Sequence, residues 1–252
     1  MKKDIVAGLG EIGFPIYEII SKVFPVQGYD INSDLIPKTS SKFELYSTRF
    51  LHICIPYNKN FISSVLKLNK KFLPTTIVIH STIKPGTTRD IQKKLPIPVI
   101  YSATRGTHKI MLSDLKRYTK FFALDETIPN SKLSSRLYAQ LMKKCGIKTK
   151  KLSNAITLEL SKIICDTSYY GWLINYAQIS KIITDKFSVD YDEMWSFSDE
   201  IHKFLGNRPK LFPGFIGGHC VIPNLELLNV NSLSQINKIN NIFKKFLETK
   251  TL

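Results

Sequence analysis

The chain has 252 residues, of which 43% are hydrophobic and 22% charged, and a formal net charge of +16. That is enough chain to bury a core in one large domain or two smaller ones, and the composition excludes disordered, collagenous and membrane-spanning classes. No apolar run approaches the roughly 20 residues that span a bilayer, and Met1-Lys2-Lys3-Asp4-Ile5-Val6 leads straight into a strand with no leader signature, so a cytoplasmic protein is expected.

Cys54, Cys145, Cys165 and Cys220 are scattered, without a CxxC pair or a histidine at zinc spacing, which argues against a disulfide framework and a metal site. The positive charge favours an anionic partner. Lysines run the whole length in doublets such as Lys70-Lys71 and Lys143-Lys144, with no nucleic-acid-binding pattern, so an anionic small molecule is preferred over nucleic acid or a membrane surface.

In chain order, Ile5 to Leu9 reads as a strand, Glu11 to Val23 as a helix and Pro25 to Asp30 as a second strand. The first turn carries Gly8-Leu9-Gly10-Glu11-Ile12-Gly13, a G-x-G-x-x-G pattern in the strand-to-helix setting that gives it meaning. The first glycine makes the tight turn, the second lets backbone approach a pyrophosphate, and the third permits close helix-on-strand packing. Glu11 and Ile12 then sit at the helix start, where N–H groups point at the phosphates. Asp30, at the end of the next strand, is placed to accept from ribose hydroxyls and to repel a 2′-phosphate, which selects NAD over NADP.

The alternation continues through a strand at Phe50 to Ile55 ended by Pro56, a helix to Phe72, and a strand at Thr76 to His80. Ser81 to Thr88 leads into a short helix, and Pro98 to Tyr101 is a strand. Lys120 to Leu124 and Ile147 to Thr149 are the expected last strands of the sheet, with a helix from Ser131 to Cys145 between them. This pattern predicts a doubly wound parallel sheet of the Rossmann type over residues 1–152. Residues 153–252 read as all-α: a long helical pattern from Ser153 to Phe187 interrupted only by Gly171, another helix from Asp190 to Gly206, and a mostly helical stretch from Leu225 to Thr249.

Between the last two helices lies a Pro- and Gly-rich loop ending Gly214-Phe215-Ile216-Gly217-Gly218-His219-Cys220. Glycines beside a cysteine allow φ > 0 and close approach of a ligand, which suits a presented nucleophile; a plain turn with a buried thiol is the alternative.

Four separated pieces together resemble the nucleotide-sugar 6-dehydrogenases: Gly8 to Gly13 with Asp30, Ser81 to Thr88, Glu159-Leu160-Ser161-Lys162, and Gly217-Gly218-His219-Cys220. The resemblance implies two successive NAD-dependent oxidations of a primary alcohol to a carboxylate through a thioester on Cys220. In those roles Lys162 would favour the thiolate and stabilise oxyanions, Thr82 would help position water, and Pro56 would touch the cofactor. Arg208, Arg105, Gly217 and Gly218 would contact the substrate, and the long helix would form a homodimer.

The chain departs from that pattern in places. Relatives carry Asn one turn after the lysine and Asp four positions after the cysteine, whereas here the residues are Asp166 and Asn224. A buried Lys162–Asp166 ion pair sharing the proton-handling role is therefore expected. Relatives also have a glutamate where this chain reads Tyr101 to Gly106, and a third, nucleotide-binding domain for which about thirty residues after Cys220 leave no room. The alternatives are a two-electron dehydrogenase of the hydroxyacid and 6-phosphogluconate group, and an NAD-binding paralogue without turnover.

Overall fold

In β1 (Lys2–Ala7), every residue after the first is buried, as befits a strand with a helix layer on each side. In the computed structural model, which describes residues 1–38, 43, 45–207 and 209–250, there follow α1 (Gly13–Ser21), β2 (Val26–Tyr29), β3 (Ser47–Ile53), α2 (Phe61–Phe72) and β4 (Thr76–Ile79). Next come α3 (Thr87–Gln92), β5 (Val99–Tyr101), α4 (Met111–Arg117), β6 (Lys120–Phe122), α5 (Ser131–Lys144) and β7 (Thr149–Lys151). The first five strands form one parallel sheet in the order β2-β1-β3-β4-β5.

Side-chain alternation divides the core into two layers. Val6 packs with Ile16 and Ile20 of α1 and Leu141 of α5, whereas Ile5 and Ala7 face Phe61 and Val65 of α2 and Ile91 of α3. The doubly wound parallel sheet is therefore present, and its strand order reverses between β1 and β3, where the crevice for a ligand lies in such sheets.

The two last strands depart from expectation. Among the described residues β6 and β7 pair only with each other, and the chain meets the main sheet through one antiparallel bridge between Tyr101 and Ala123. Side chains take the place of a ladder there: Ser102 Oγ donates to the Phe121 carbonyl at 2.9 Å, Tyr138 donates to Ser102 Oγ at 2.8 Å, and buried Lys120 donates to Thr104 Oγ1 at 3.1 Å.

The chain divides into two compact units, Met1–Leu160 and Ser161–Leu252. The sequence changes character at Leu152, but α6 (Ala155–Ser161) still belongs largely to the first unit, because Leu158 packs into its second core layer and buried Glu159 bonds to α3. The second unit holds a π-helical segment (Lys162–Ser168), α7 (Tyr169–Lys186), α8 (Tyr191–Leu205), α9 (Ile222–Glu226) and α10 (Asn231–Lys250). α10 packs along α7, and α9 packs on the π segment. The mostly helical stretch expected from Leu225 to Thr249 holds the end of α9 and nearly all of α10, separated where Asn229 takes a positive φ of 49°.

Gly171 does not break the long helix. It is buried, and a Cβ there would lie 3.0 Å from Val221 Cγ1 and 3.2 Å from Ile236 Cγ2, so its bare backbone admits both side chains. Val221 and Ile236 join Ile216 and Leu225 in this unit's apolar core. Among the described residues no helix is long and apolar enough to cross a membrane.

Candidate active site

The glycine turn lies at the carboxyl end of β1, on the reversal of strand order, and each glycine has its own reason. Gly8 has φ +89°, and a Cβ on it would come within 2.8 Å of the Cys54 backbone at the end of β3. A Cβ on Gly13 would sit 1.6 Å from the Gly8 carbonyl oxygen, so only glycine lets α1 start this close to β1. Gly10 differs, since a Cβ there would meet nothing within 4 Å. Its side of the turn is open, the space a pyrophosphate would take. The N-cap residue of α1 is Ile12, whose side chain forms no capping bond, and the positive end of that helix faces the turn.

Asp30 follows β2 at the same edge. Its carboxylate accepts from Leu9 N at 2.7 Å and from Asn32 N at 2.9 Å, which ties the ribose-side acid to the phosphate-side turn. Pro56 is exposed beyond β3, and half-buried Thr82 follows β4. The two strand ends are laced together by Ser81 Oγ, which donates to the Ile55 carbonyl at 2.6 Å. Gly8, Gly10, Glu11, Ile12, Gly13, Asp30, Pro56 and Thr82 therefore gather at the carboxyl edge of one sheet, and the geometry fits a dinucleotide.

Glu159 was visible in the sequence as part of a motif, but without a role. Its buried carboxylate accepts from Gly86 N at 2.6 Å, Thr88 N at 2.9 Å and Thr88 Oγ1 at 2.6 Å. The motif running from Ser81 to Thr88 and the one ending in Lys162 are thus joined within the first unit by a helix cap.

Lys162 begins the π segment of the second unit. Two hydroxyls bond back onto this segment: Thr167 Oγ1 donates to the Lys162 carbonyl at 3.2 Å and Ser168 Oγ to the Ile164 carbonyl at 2.8 Å. Lys162 Nζ and Asp166 Oδ2 lie 2.5 Å apart, and the expected pair is formed. It is not buried, however, because the Asp166 side chain is 43% exposed against 13% for Lys162. A pair this wet contributes at most about 1 kcal/mol to folding, and its carboxylate stays open to solvent.

The four cysteines now separate into two kinds. Burial pushes the Cys54 thiol up to about 12 and the Cys145 thiol up to about 11, which leaves both inert at neutral pH. Cys165 and Cys220 are exposed. Cys220 ends the run Gly217, Gly218, His219, Cys220, all exposed, with Gly218 at φ +78°. This run stretches between two buried residues, Ile216 and Val221. Asn224 is half-buried on α9, which starts two residues after Cys220 and packs, within one unit, on the π segment that Lys162 begins.

Arg105 is engaged structurally: its guanidinium donates to the Thr119 carbonyl at 2.8 Å and lies 5.1 Å from the Phe121 ring centre. Arg208, expected to contact substrate phosphates, lies outside the described residues. Among the described residues no group of three or more His, Cys, Asp or Glu is placed to hold a metal ion.

No family model matches this chain, and no curated protein matches it by sequence. Solved structures do. A UDP-D-ManNAc dehydrogenase from Pyrococcus horikoshii superposes with a TM-score of 0.80 at 18% identity, over 97% of this chain and 69% of that one. The UDP-N-acetyl-mannosamine dehydrogenase of Staphylococcus aureus gives 0.75 at 18% identity, over 100% of this chain and 70% of the other. A 3-hydroxyisobutyrate dehydrogenase from Mycobacterium tuberculosis gives 0.65 at 14% identity, over 97% and 93%. At these identities the likeness is one of fold, and it extends along the whole chain.

Proposed function

We propose that this protein is an NAD-dependent oxidoreductase of the nucleotide-sugar 6-dehydrogenase type. One observation carries the cofactor assignment: at the reversal of strand order, Gly8 and Gly13 are blocked by backbone while Gly10 alone faces open space, with Asp30 tied to the same turn. The fold shared with two UDP-N-acetylmannosamine dehydrogenases supports the substrate class. The net charge of +16 suits a diphosphate-bearing substrate.

NAD, held at the glycine turn and Asp30, would supply the hydride acceptor for each oxidation. The half-exposed Lys162–Asp166 pair would take the alcohol proton, with the carboxylate as base and the ammonium stabilising the alkoxide. Cys220 would add through sulfur to the aldehyde carbonyl and hold the substrate as a thioester once the second hydride has left, until water, oriented by Thr82, releases the carboxylate and the thiol. Arg208, Gly217 and Gly218 are assigned to the substrate side, and Asn224 to the polar wall beside the thiol.

A homodimer through α7 belongs to this reading. Tyr169, Trp172, Tyr176, Ile179 and Ile183 are exposed at alternating spacings of three and four, a seam for a second copy, while the inward side of the helix uses Gly171, Ala177 and Ser180.

The likeness to 3-hydroxyisobutyrate dehydrogenase, which spans 93% of that chain, favours a second reading as a two-electron hydroxyacid dehydrogenase. NADH released per substrate consumed, over a panel of nucleotide sugars, sugar phosphates and hydroxyacids, decides between them. Two NADH per substrate, abolished in Cys220→Ser, is the expected result. One NADH on a hydroxyacid, indifferent to that substitution, transfers the protein to the second reading, and NAD binding without turnover on any substrate overturns both.

A further inference from the structure

The loop bearing Cys220 has no regular secondary structure from Pro209 to Val221, yet one of its residues is gripped as firmly as a strand residue in a sheet. Asn240 on α10 accepts from Ile216 N through Oδ1 at 2.8 Å and donates from Nδ2 to the Ile216 carbonyl at 3.0 Å. Its carboxamide thus does for Ile216 what a neighbouring strand would do. Gln178 on α7 donates from Nε2 to the same Asn240 Oδ1 at 3.0 Å and to the Gly214 carbonyl at 2.7 Å. Gln178 Oε1 in turn accepts from Asn175 Nδ2 at 2.8 Å. All three amides are buried, with exposures of 1%, 0% and 1% for Asn175, Gln178 and Asn240.

Helix packing alone does not call for such a chain. A buried amide costs a few kcal/mol unless paired, and apolar side chains would fill the α7–α10 seam with less risk. Asn175 Oδ1 has no partner among the described residues, so the arrangement even tolerates one unmet acceptor to keep the other bonds. What those bonds reach is the backbone of Gly214 and Ile216, immediately before the exposed run that ends in Cys220. Val221, fixed in the apolar core against Gly171, closes that run on its other side. Four residues between two immobile points leave the thiol little freedom, and a reacting atom must be held within about 0.5 Å of its productive place.

We propose that the Asn175–Gln178–Asn240 amide chain sets the register of the cysteine loop, which makes Asn240 and Gln178 positioning residues for Cys220. The assignment rests on the reading of Cys220 as the nucleophile. Asn240→Asp is close to isosteric: it keeps the acceptor for Ile216 N but sets a carboxylate oxygen against the Ile216 carbonyl. Gln178→Glu does the same to the Gly214 carbonyl and serves where Asn240→Asp does not fold. Two readouts on the full chain, folding verified by circular dichroism, form the test: hydrogen exchange of the Gly214–Cys220 segment, and the pH profile of iodoacetamide alkylation at Cys220, with exposed Cys165 as the internal standard.

Loss of about tenfold in protection, the equivalent of one hydrogen bond, together with a displaced Cys220 profile and an unmoved Cys165 profile, is the expected result. Unchanged protection, or an unchanged Cys220 profile, in a folded variant overturns the proposal. Neither readout requires turnover. A wild-type protein that makes no NADH therefore defeats the functional reading while leaving the clamp to be judged on exchange and alkylation.

Discussion

Glu159 and Thr88, 71 positions apart, are joined twice, through Thr88 N at 2.9 Å and Thr88 Oγ1 at 2.6 Å, and Gly86 N adds a third bond to the same carboxylate at 2.6 Å. A buried carboxylate on three donors at a helix start is costly to alter, because an amide in its place would point N–H at N–H. Glu159→Gln should cost about 2–3 kcal/mol in urea unfolding, and Thr88→Val about 1 kcal/mol, with clear coupling between them. A Glu159→Gln protein within about 0.5 kcal/mol of the parent would contradict this account of the bond.

The glycine turn separates binding from folding. Gly10→Ala places a methyl group where nothing stands within 4 Å, so stability should hold while NAD affinity, measured by calorimetry, falls at least about tenfold. Gly13→Ala drives a Cβ to 1.6 Å from the Gly8 carbonyl and should destabilise the first unit by about 3 kcal/mol or more. If Gly10→Ala binds NAD as well as the parent, the open space is not the pyrophosphate site.

A buried polar chain crosses the same sheet. Arg49 grips Asp4 with bonds of 3.0 and 2.6 Å, His52 approaches Asp4 at 3.8 Å, and His52 Nδ1 stands 2.9 Å from His80 Nε2. Burial, and then the charges of Lys120 and His52, hold His80 well below the ordinary 6.5, with only a backbone bond at Ser102 opposing them. The native state therefore keeps His80 neutral where the unfolded chain takes up a proton. Stability is whole above about pH 6.5 and falls below it, by up to about 1.4 kcal/mol per pH unit. Urea midpoints between pH 7 and 5 should show that slope, and His80→Gln should lose about one proton's share of it; an unaltered slope would exclude His80 as its source.

What could be read in advance was what lies close together along the chain. The glycine turn with Asp30, the strand ends at Pro56 and Thr82, and the i,i+4 pair of Lys162 and Asp166 are all local, and the alternation of strands and helices follows from burial on two faces. What stayed hidden depends on partners far apart. Glu159 meets Gly86 across 73 positions and Asn240 meets Ile216 across 24, and in a chain rich in Asn the latter looks like any solvated amide. That β6 and β7 leave the main sheet was equally hidden, since a three-residue strand with Lys120 and Phe122 buried fits either sheet and side chains such as Ser102 and Tyr138 make the junction. Gly171 was visible, but as a breaker; only the seat it gives Val221 explains it.

The π segment makes the second unit sensitive to length in a way that it is not sensitive to composition. A bulge of this kind amounts to an inserted residue already absorbed within a helix, and each residue that is not absorbed turns everything after it by about 100°. Excising one residue between Ile163 and Thr167 would let the segment relax to an α-helix and keep Gly171, Asn175 and Gln178 facing Val221 and Asn240, whereas adding one would swing them away while leaving their identities untouched. Among descendants of this sequence, loss of a single codon there would be borne far better than gain of one.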